Sequence, residues 1–376
     1  MASLDTRRLV RTARGYFSRN QPDYLIFYVT ARCNLACRFC FNREYFGVSP
    51  ERDELRTDEI QKIARGFRPL NHVILSGGEP FLRQDLAEIA LAFHREAHAG
   101  LVSIPTNGTF PERVEETVAK ILHACPALDL HINLSVDGIG EAHDLQRGRP
   151  GTFRDLTRTR QLLRPLQEKH PRLAVNVISV IGDGNEGDLD KILDYVSFTL
   201  EPGYHDVGVD RQDFWIPGLV ERQLLRLATI ERALLSRRGQ GAIAPVHRAV
   251  YRRINQEIRR VVRTQMMTFP CLAGRKMMVV SPSGSLYPCE TLWFEAGRFP
   301  SFGKTVLGDL RALGYQWRRA RHSEDYKRVT RLIRLRRCFC TWECAIFNCL
   351  QYSARYWPGM LAWYLQEKWR QGRTGR

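Results

Sequence analysis

The chain has 376 residues and a mass of 43.5 kDa, enough for one large α/β domain and a smaller second one. The chain has 57 Lys and Arg against 40 Asp and Glu, a net charge of +17. This excess is explained equally well by an anionic partner and by arginines that are solvated on the faces of surface helices. Neither a signal-like leader nor an apolar run long enough to span a membrane is present. Ten cysteines then predict a reducing, cytoplasmic setting in which thiols bind metals.

Residues 1–23 hold the first predicted element, a short basic amphipathic helix. Leu9, Val10, Ala13 and Phe17 recur near helical spacing, with arginines between them. We expect this helix to pack against the domain that follows. A helix that binds a membrane surface or a partner is the alternative.

The stretch 24–42, YLIFYVTARCNLACRFCFN, is a strand-like apolar run followed by three cysteines, Cys33, Cys37 and Cys40. Iron-sulfur clusters are normally held by four thiolates, so three thiolates leave one iron open for a further ligand. Zinc sites usually pair two CxxC-like units, which this loop lacks, and a disulfide is the other alternative. The loop therefore predicts a 4Fe-4S site with an open position.

CNLACRFC, with Phe39 before the third cysteine, resembles the CxxxCxxC signature of the radical S-adenosylmethionine (SAM) superfamily. The resemblance implies that the amino and carboxylate groups of SAM bind the open iron. Reductive cleavage of SAM then gives a 5'-deoxyadenosyl radical that abstracts a hydrogen atom from a substrate. It also implies an external electron donor, such as flavodoxin or ferredoxin, and a partial (βα)6 TIM-like barrel.

Residues 24–215 alternate between strand-like and helix-like segments. The strand candidates are Tyr24–Thr30, His72–Ser76, Leu101–Pro105, Leu130–Ser135, Val175–Val180 and His205–Val209. The helix candidates are Thr57–Phe67, Asp85–His98, Pro111–His123, Thr152–Gln167 and Asp188–Phe198. This alternation predicts a parallel sheet, in which ligands gather at the carboxyl ends of the strands.

Motifs at these strand ends support the resemblance. The second strand ends in Gly77, Gly78, Glu79 and Pro80, which resembles the GGE motif that binds the SAM amino group in the family. By the same analogy five later residues, within the predicted strands or just after them, are candidate SAM contacts: Asn107, Ser135, Asp137, Asn176 and Val209.

Residues 216–265 read as a helical connector, and residues 266–350 as a smaller α+β domain. Cys271 and Cys289 flank a predicted hairpin around a ProSerGly turn, and CFCTWECAIFNC follows. This arrangement resembles the SPASM and twitch extensions of radical SAM enzymes, which bind auxiliary 4Fe-4S clusters.

The cysteine pattern departs from a full SPASM domain, which uses a CxxCxxxxxCxxxC block and a further distant cysteine. Six candidate ligands are too few to saturate two clusters, so we expect one fully ligated auxiliary cluster, with a second, open cluster as an alternative and zinc as the rival metal. Cys271 and Cys289 are the first choices as ligands. The other four are Cys340 and Cys344, followed by Cys338 and Cys349.

Glu290, next to Cys289, lies where a resemblance to sulfatase-maturing relatives would place a general base, although a solvated carboxylate is the simpler reading. Residues 351–376 interleave Trp, Tyr and Arg in a predicted terminal helix. That helix is expected either to dock on its own domain or to bind an anionic membrane surface, and nucleic acid is disfavoured.

We therefore predict a radical SAM oxidoreductase or maturase that oxidises or cross-links a ribosomal peptide. A small molecule or a lipid is the alternative substrate, because no leader-binding domain is expected before the cluster motif. A non-catalytic iron-sulfur or nucleic-acid-binding protein is the alternative from another class, and the intact motifs argue against it.

Overall fold

The structure is a computed structural model, and it describes residues 16, 21–42, 53–210, 218–236 and 244–373. The predicted N-terminal helix therefore lies outside the described residues, except for Tyr16.

A nine-stranded sheet forms the centre of the molecule, with the strand order β6-β5-β4-β3-β2-β1-β7-β8-β9. The strands are β1 Tyr24–Thr30, β2 His72–Gly77, β3 Leu101–Thr106, β4 Asp129–Ser135, β5 Leu173–Ile181, β6 His205–Val209, β7 Met277–Val280, β8 Ser285–Tyr287 and β9 Gly308–Asp309. Strands β1 to β6 are parallel to their neighbours, as predicted. The hydrogen bonds among these strands leave the sheet open, which fits a partial barrel.

Helices connect and surround the strands of this sheet. They are α1 Thr57–Gly66, α2 Leu86–Glu96, α3 Pro111–Ala124, α4 Glu141–Arg147, α5 Thr152–Lys169, α6 Leu189–Tyr195, α7 Val220–Ser236, α8 Ala244–Thr264, α9 Thr291–Phe294, α10 Trp317–Ala320, α11 Glu324–Arg334, α12 Glu343–Gln351 and α13 Trp357–Arg373. In β2, Val73 and Leu75 are fully buried, whereas His72, Ile74 and Ser76 stay partly exposed. The alternation shows that one face of the strand packs against helices and the other lines a more open interior.

All six predicted strands and all five predicted barrel helices are confirmed, and their bounds shift by a few residues. The last predicted helix, Asp188–Phe198, is shorter than expected because a π-helical segment, Val196–Leu200, takes over its final turn. Helix α4 was not predicted. The predicted connector contains two helices, α7 and α8, and the segment 237–243 between them lies outside the described residues.

The predicted C-terminal hairpin is confirmed as β7 and β8, which pair antiparallel. Strand β7 also pairs parallel with β1, from Tyr24 opposite Met277 to Phe27 opposite Val280. A buried ion pair between Lys276 Nζ and Asp23 Oδ2, 2.9 Å apart, lies beside this pairing. One sheet therefore crosses the predicted boundary between barrel and C-terminal domain, and the boundaries themselves stay predictions.

Within the part of the chain that the structure describes, helices long and apolar enough to cross a bilayer are absent.

Candidate active site

The cluster loop, residues 31–42, leaves the carboxyl end of β1 and packs on the turn that ends β2. Gly78 N donates to Thr30 O at 2.9 Å, and Glu79 N donates to Arg32 O at 2.8 Å. A Cβ atom at Gly78 would lie 2.1 Å from Arg32 O, so no side chain fits there. The glycine is therefore needed for the close approach of two backbone segments, which fixes the cluster loop over the sheet.

Glu79 is a buried carboxylate whose two oxygens accept three hydrogen bonds. Phe81 N and Thr106 Oγ1 donate to Oε1 at 3.1 and 2.8 Å, and Asn107 N donates to Oε2 at 2.8 Å. Burial raises the pKa of Glu79 to about 7. The three hydrogen bonds lower the pKa, but their effect is smaller than that of burial. The Asn107 side chain donates to Asn34 Oδ1 of the cluster loop at 2.9 Å. The ends of β2 and β3 are thus tied to the cluster loop, and Oε2, which accepts one of the three bonds, keeps acceptor capacity for an ammonium.

Helix α4 brings a buried arginine to the same loop. Arg147 Nη1 lies 3.6 Å from Cys37 Sγ, and its guanidinium carbon lies 5.5 Å from the Phe39 ring centroid. The other terminal nitrogen forms a buried ion pair with Asp137, whose second oxygen accepts from Val180 N at 2.7 Å. A positive charge beside a cysteine sulfur suits an anionic iron-sulfur centre.

The residue after α4 also approaches the cluster loop. Gly148 has a φ of +73°, in the left-handed region, and a Cβ atom there would lie 2.8 Å from Ala36 O. Arg38 N donates to Gln146 O at 3.1 Å. Both contacts hold the middle of the cluster loop against the end of α4. The sequence did not predict the contact between Arg147 and Cys37, because 110 residues separate them.

Cys33 is partly buried beside Glu79. Burial raises the pKa of the Cys33 thiol to about 12, and the charges of Glu79 and the neighbouring cysteines add to this effect. The thiol therefore keeps its proton at neutral pH when no metal is bound, and iron binding must release that proton. Leu35 N donates a hydrogen bond to the same sulfur, as fits a cluster ligand.

The remaining candidate SAM contacts fall in two places. Pro80 is buried at the first position of a short 3-10 helix beside Glu79, and Ser135 and Val209 are the last residues of β4 and β6. Asn176, in contrast, lies in the middle of β5, where its amide donates to Asn133 Oδ1 at 3.0 Å. The structure thus places Asn176 away from the strand end, and its assignment as a SAM contact stays a prediction.

Five of the six C-terminal cysteines are buried and lie together. We call them the thiol group: Cys271, Cys289, Cys338, Cys340 and Cys349. Burial raises the pKa of the Cys289 thiol, and three electrostatic neighbours raise it further: Cys271, Cys338 and Cys340. Cys349 is hydrogen-bonded to Cys271. Helices α9 and α12 and the β7–β8 hairpin converge on these sulfurs from separate parts of the chain.

Backbone amides point at four sulfurs of the thiol group. Leu292 N donates to Cys289 Sγ at 3.4 Å, and Leu272 N donates to Cys349 Sγ at 3.3 Å. Two further amides, of Ala273 and Trp342, donate to Cys271 and Cys340. Such N–H···S bonds are a means by which proteins tune iron-sulfur clusters, so the donor set fits an auxiliary cluster. Among the described residues, no three His, Cys, Asp or Glu side chains have the spacing that holds a single metal ion.

Cys344 faces a different neighbour. Its Sγ donates to Glu290 Oε2 at 3.2 Å, and Tyr28 of β1 donates its hydroxyl to Glu290 Oε1 at 2.6 Å. Glu290 is buried, with 6% of its surface exposed, so the simpler reading as a solvated carboxylate is wrong. The side chain therefore joins Tyr28 of a barrel strand to Cys344 of α12, and it directly follows Cys289 in sequence. The assignments of Cys344 as a metal ligand and of Glu290 as a base stay predictions.

The comparisons with known proteins agree with this geometry. Residues 27–196 match the model of the radical SAM superfamily. The chain is 29% identical over 296 residues to an AdoMet-dependent heme synthase of Methanosarcina barkeri, covering 74% of this chain and 79% of that protein. It is 26% identical over 196 residues to a GTP 3',8-cyclase of Limosilactobacillus fermentum. That match covers 50% of this chain and spans about half, 52%, of the cyclase.

Solved structures share the fold at low sequence identity. A structure of anSMEcpe with bound AdoMet and the Kp18Cys peptide aligns with a TM-score of 0.56 at 14% identity, covering 92% of this chain and 99% of that chain. SuiB of Streptococcus suis, bound to its precursor peptide SuiA, aligns with a TM-score of 0.51 at 16% identity, covering 85% and 70%. The matched segment contains the cluster loop, the Glu79 turn and Arg147, and residues 27–196 form a radical SAM domain, the domain of a superfamily whose enzymes bind SAM and a 4Fe-4S cluster.

Proposed function

We propose that this radical SAM enzyme carries out an oxidation or bond formation on a ribosomal peptide, with an auxiliary 4Fe-4S cluster in its C-terminal region. The thiol group beside Glu290 is the observation that carries the proposal. When bound, SAM and its cluster supply a 5'-deoxyadenosyl radical, which takes one hydrogen atom from the substrate. Completing a two-electron oxidation then requires the loss of one more electron and one proton.

The chain offers a group for each requirement. Cys33, Cys37 and Cys40 would hold the SAM-binding cluster, with Arg147 beside Cys37. Glu79 would accept the SAM ammonium, and Glu290 would take the substrate proton. The thiol group would hold the metal centre that accepts the second electron, and a flavodoxin or ferredoxin would supply the electron that cleaves SAM.

Two observations on similar proteins support a peptide substrate. The structures of anSMEcpe and SuiB contain a bound peptide, and their fold covers most of this chain. A small molecule is the second candidate, favoured by the similarity to a heme synthase and to GTP cyclases. Incubation with SAM, dithionite and a peptide encoded beside the gene distinguishes them. A peptide product lighter by two hydrogens, detected by mass spectrometry, supports the first candidate, and unchanged peptide beside SAM cleavage supports the second.

The thiol group predicts which cysteines hold auxiliary iron. In a chain whose Cys33, Cys37 and Cys40 are all replaced by Ala, reconstituted protein should retain about four irons, since one complete cluster remains. Adding Cys289→Ser should remove most of this iron, whereas adding Cys344→Ser should leave it nearly unchanged. Iron and sulfide analysis measures the outcome. An equal loss in both variants would make Cys344 a ligand, and about eight irons in the parent would indicate a second cluster.

Glu290→Gln tests the proposed base. Glutamine keeps the size of the side chain and can still accept from Tyr28, but it cannot take up a proton. Product formation on an identified substrate should fall by about 100-fold or more, while SAM cleavage without substrate stays within about twofold. Product measured by mass spectrometry and 5'-deoxyadenosine measured by chromatography give the two rates. Wild-type product formation in Glu290→Gln would rule out this role.

A further inference from the structure

The terminal helix α13 is held on the protein by its polar side. Glu367, 1% exposed, pairs with Arg248 Nη1 and Arg252 Nη2 of α8, each at 3.3 Å. Arg252 Nη1 also donates to Gln366 Oε1 at 3.3 Å. Ion pairs and a hydrogen bond thus contribute to the contact between the two helices.

The opposite side of α13 exposes large apolar residues. Trp357, Leu361, Leu365 and Trp369 are 44, 56, 57 and 58% exposed. Both tryptophans also make contacts within the chain: the Trp357 ring lies 5.3 Å from the Tyr16 ring, centroid to centroid, and Trp369 has a partner as well. Residues spaced by four fall on one face of a helix, so these side chains form a continuous stripe, which we call the apolar stripe. A surface helix normally turns its apolar face inward and its charges outward, and α13 does not follow this rule.

The charged residues in the sequence of α13 are mostly basic. Glu367 is the single carboxylate in α13, and it is buried against α8. Lys368 is exposed, and it is a surface neighbour of Leu365, because residues three apart lie next to each other on a helix. The whole chain carries +17, so a second copy meeting this surface would be repelled, whereas an anionic surface would be attracted.

We propose that the apolar stripe of α13 docks on an anionic lipid bilayer. Leu361 and Leu365 insert below the headgroups, and Trp357 and Trp369 lie at headgroup level at the two ends of the helix. Lys368 contacts the anionic headgroups.

This position places the bilayer near the catalytic barrel. Tyr251 of α8 donates its hydroxyl to Val207 O of β6 at 2.8 Å, so the helix that holds α13 also contacts the end strand of the sheet. Docking therefore brings the β6 side of the barrel close to the membrane surface, where a lipid or a membrane-associated substrate is concentrated. The proposal does not depend on the reaction, because binding is measured without turnover.

The test compares vesicles of phosphatidylcholine alone with vesicles that contain phosphatidylglycerol as well, in flotation assays of the full chain. Wild-type protein is expected to float with the anionic vesicles and to dissociate at high salt. Leu361→Glu combined with Leu365→Glu should reduce the bound fraction by about tenfold or more. Phe198→Glu, which places the same charge at a residue 73% exposed outside α13, should stay within about twofold of wild type.

Three results would overturn the proposal. The first is that wild type floats with neither vesicle. The second is that the Leu361→Glu, Leu365→Glu variant floats like wild type. The third is a wild-type dimer in size-exclusion chromatography with light scattering that becomes monomeric in this variant without any vesicle binding, which would assign the stripe to a second copy. Unchanged SAM cleavage in the variant establishes that it is folded.

Discussion

Cys37→Ala is expected to reduce 5'-deoxyadenosine formation to the background of protein without iron. Cys37 is one of three thiols on the cluster loop. A 4Fe-4S cluster normally has four ligands, so a cluster that keeps one iron open needs all three thiols, and the variant supplies two. The measurement is chromatography of 5'-deoxyadenosine after anaerobic reconstitution with iron and sulfide, followed by SAM and dithionite.

Cys125→Ala is the matched control. Cys125 is also buried, but it follows α3 and packs in the apolar core. We expect that variant to cleave SAM within about twofold of wild type, because it removes one sulfur from packing and leaves the cluster loop unchanged. SAM cleavage by Cys37→Ala at the wild-type rate would contradict the assignment of the cluster loop.

Arg147→Met should produce the largest loss of stability among single substitutions near the site. The change leaves the fully buried Asp137 carboxylate without its cation, and breaking a buried ion pair in this way costs about 3–5 kcal/mol of unfolding free energy. Urea unfolding of the metal-free protein measures the change, and iron content after reconstitution reports on the loss of the contact with Cys37.

Arg149→Met is the control for Arg147→Met. Arg149 pairs with Asp155 at 3.3 Å with its side chain 37% exposed, and removing such a surface pair costs less than about 1 kcal/mol. Equal stability of the two variants would show that the buried pair contributes no more than an exposed one.

The cost of Arg147→Met should also shrink as pH falls. Burial raises the pKa of Asp137 above its ordinary value, and the loss of the guanidinium would raise it further. A folded-state pKa above the unfolded one means that the folded protein binds the proton more tightly. Protonation below the folded-state pKa therefore restores stability, down to the unfolded pKa of about 4.

The barrel was predictable because its signals are local. Each of β1 to β6 is a short, mainly apolar run that packs against helices. The cysteine motif directly follows β1 in sequence, and the GlyGlyGluPro motif lies at the end of β2. The cluster loop and the Glu79 turn were found for the same reason. Helix α4 was missed because it has seven residues and follows a loop rather than a long apolar pattern.

The long-range contacts of the site had no local signal. Arg147 meets Cys37 across 110 residues, and Glu290 meets Tyr28 across 262. The hydrogen bond from Cys344 to Glu290 is of the same kind, because the spacing in CFCTWECAIFNC does not reveal which neighbour each sulfur contacts. The resemblance to known families predicts which residues are candidate ligands, and the tertiary structure determines which of them come into contact.

The pairing of β7 with β1 has a consequence for how the protein unfolds. Strand β1 carries the cluster loop at its carboxyl end, and β7 carries the hairpin that leads to Cys289. Detaching the C-terminal region would break the β1–β7 pairing and expose backbone amides and carbonyls of Tyr24–Phe27. Local unfolding of the C-terminal region therefore also costs free energy at β1. The two metal-binding regions therefore belong to one cooperative unit, and neither can melt without weakening the other.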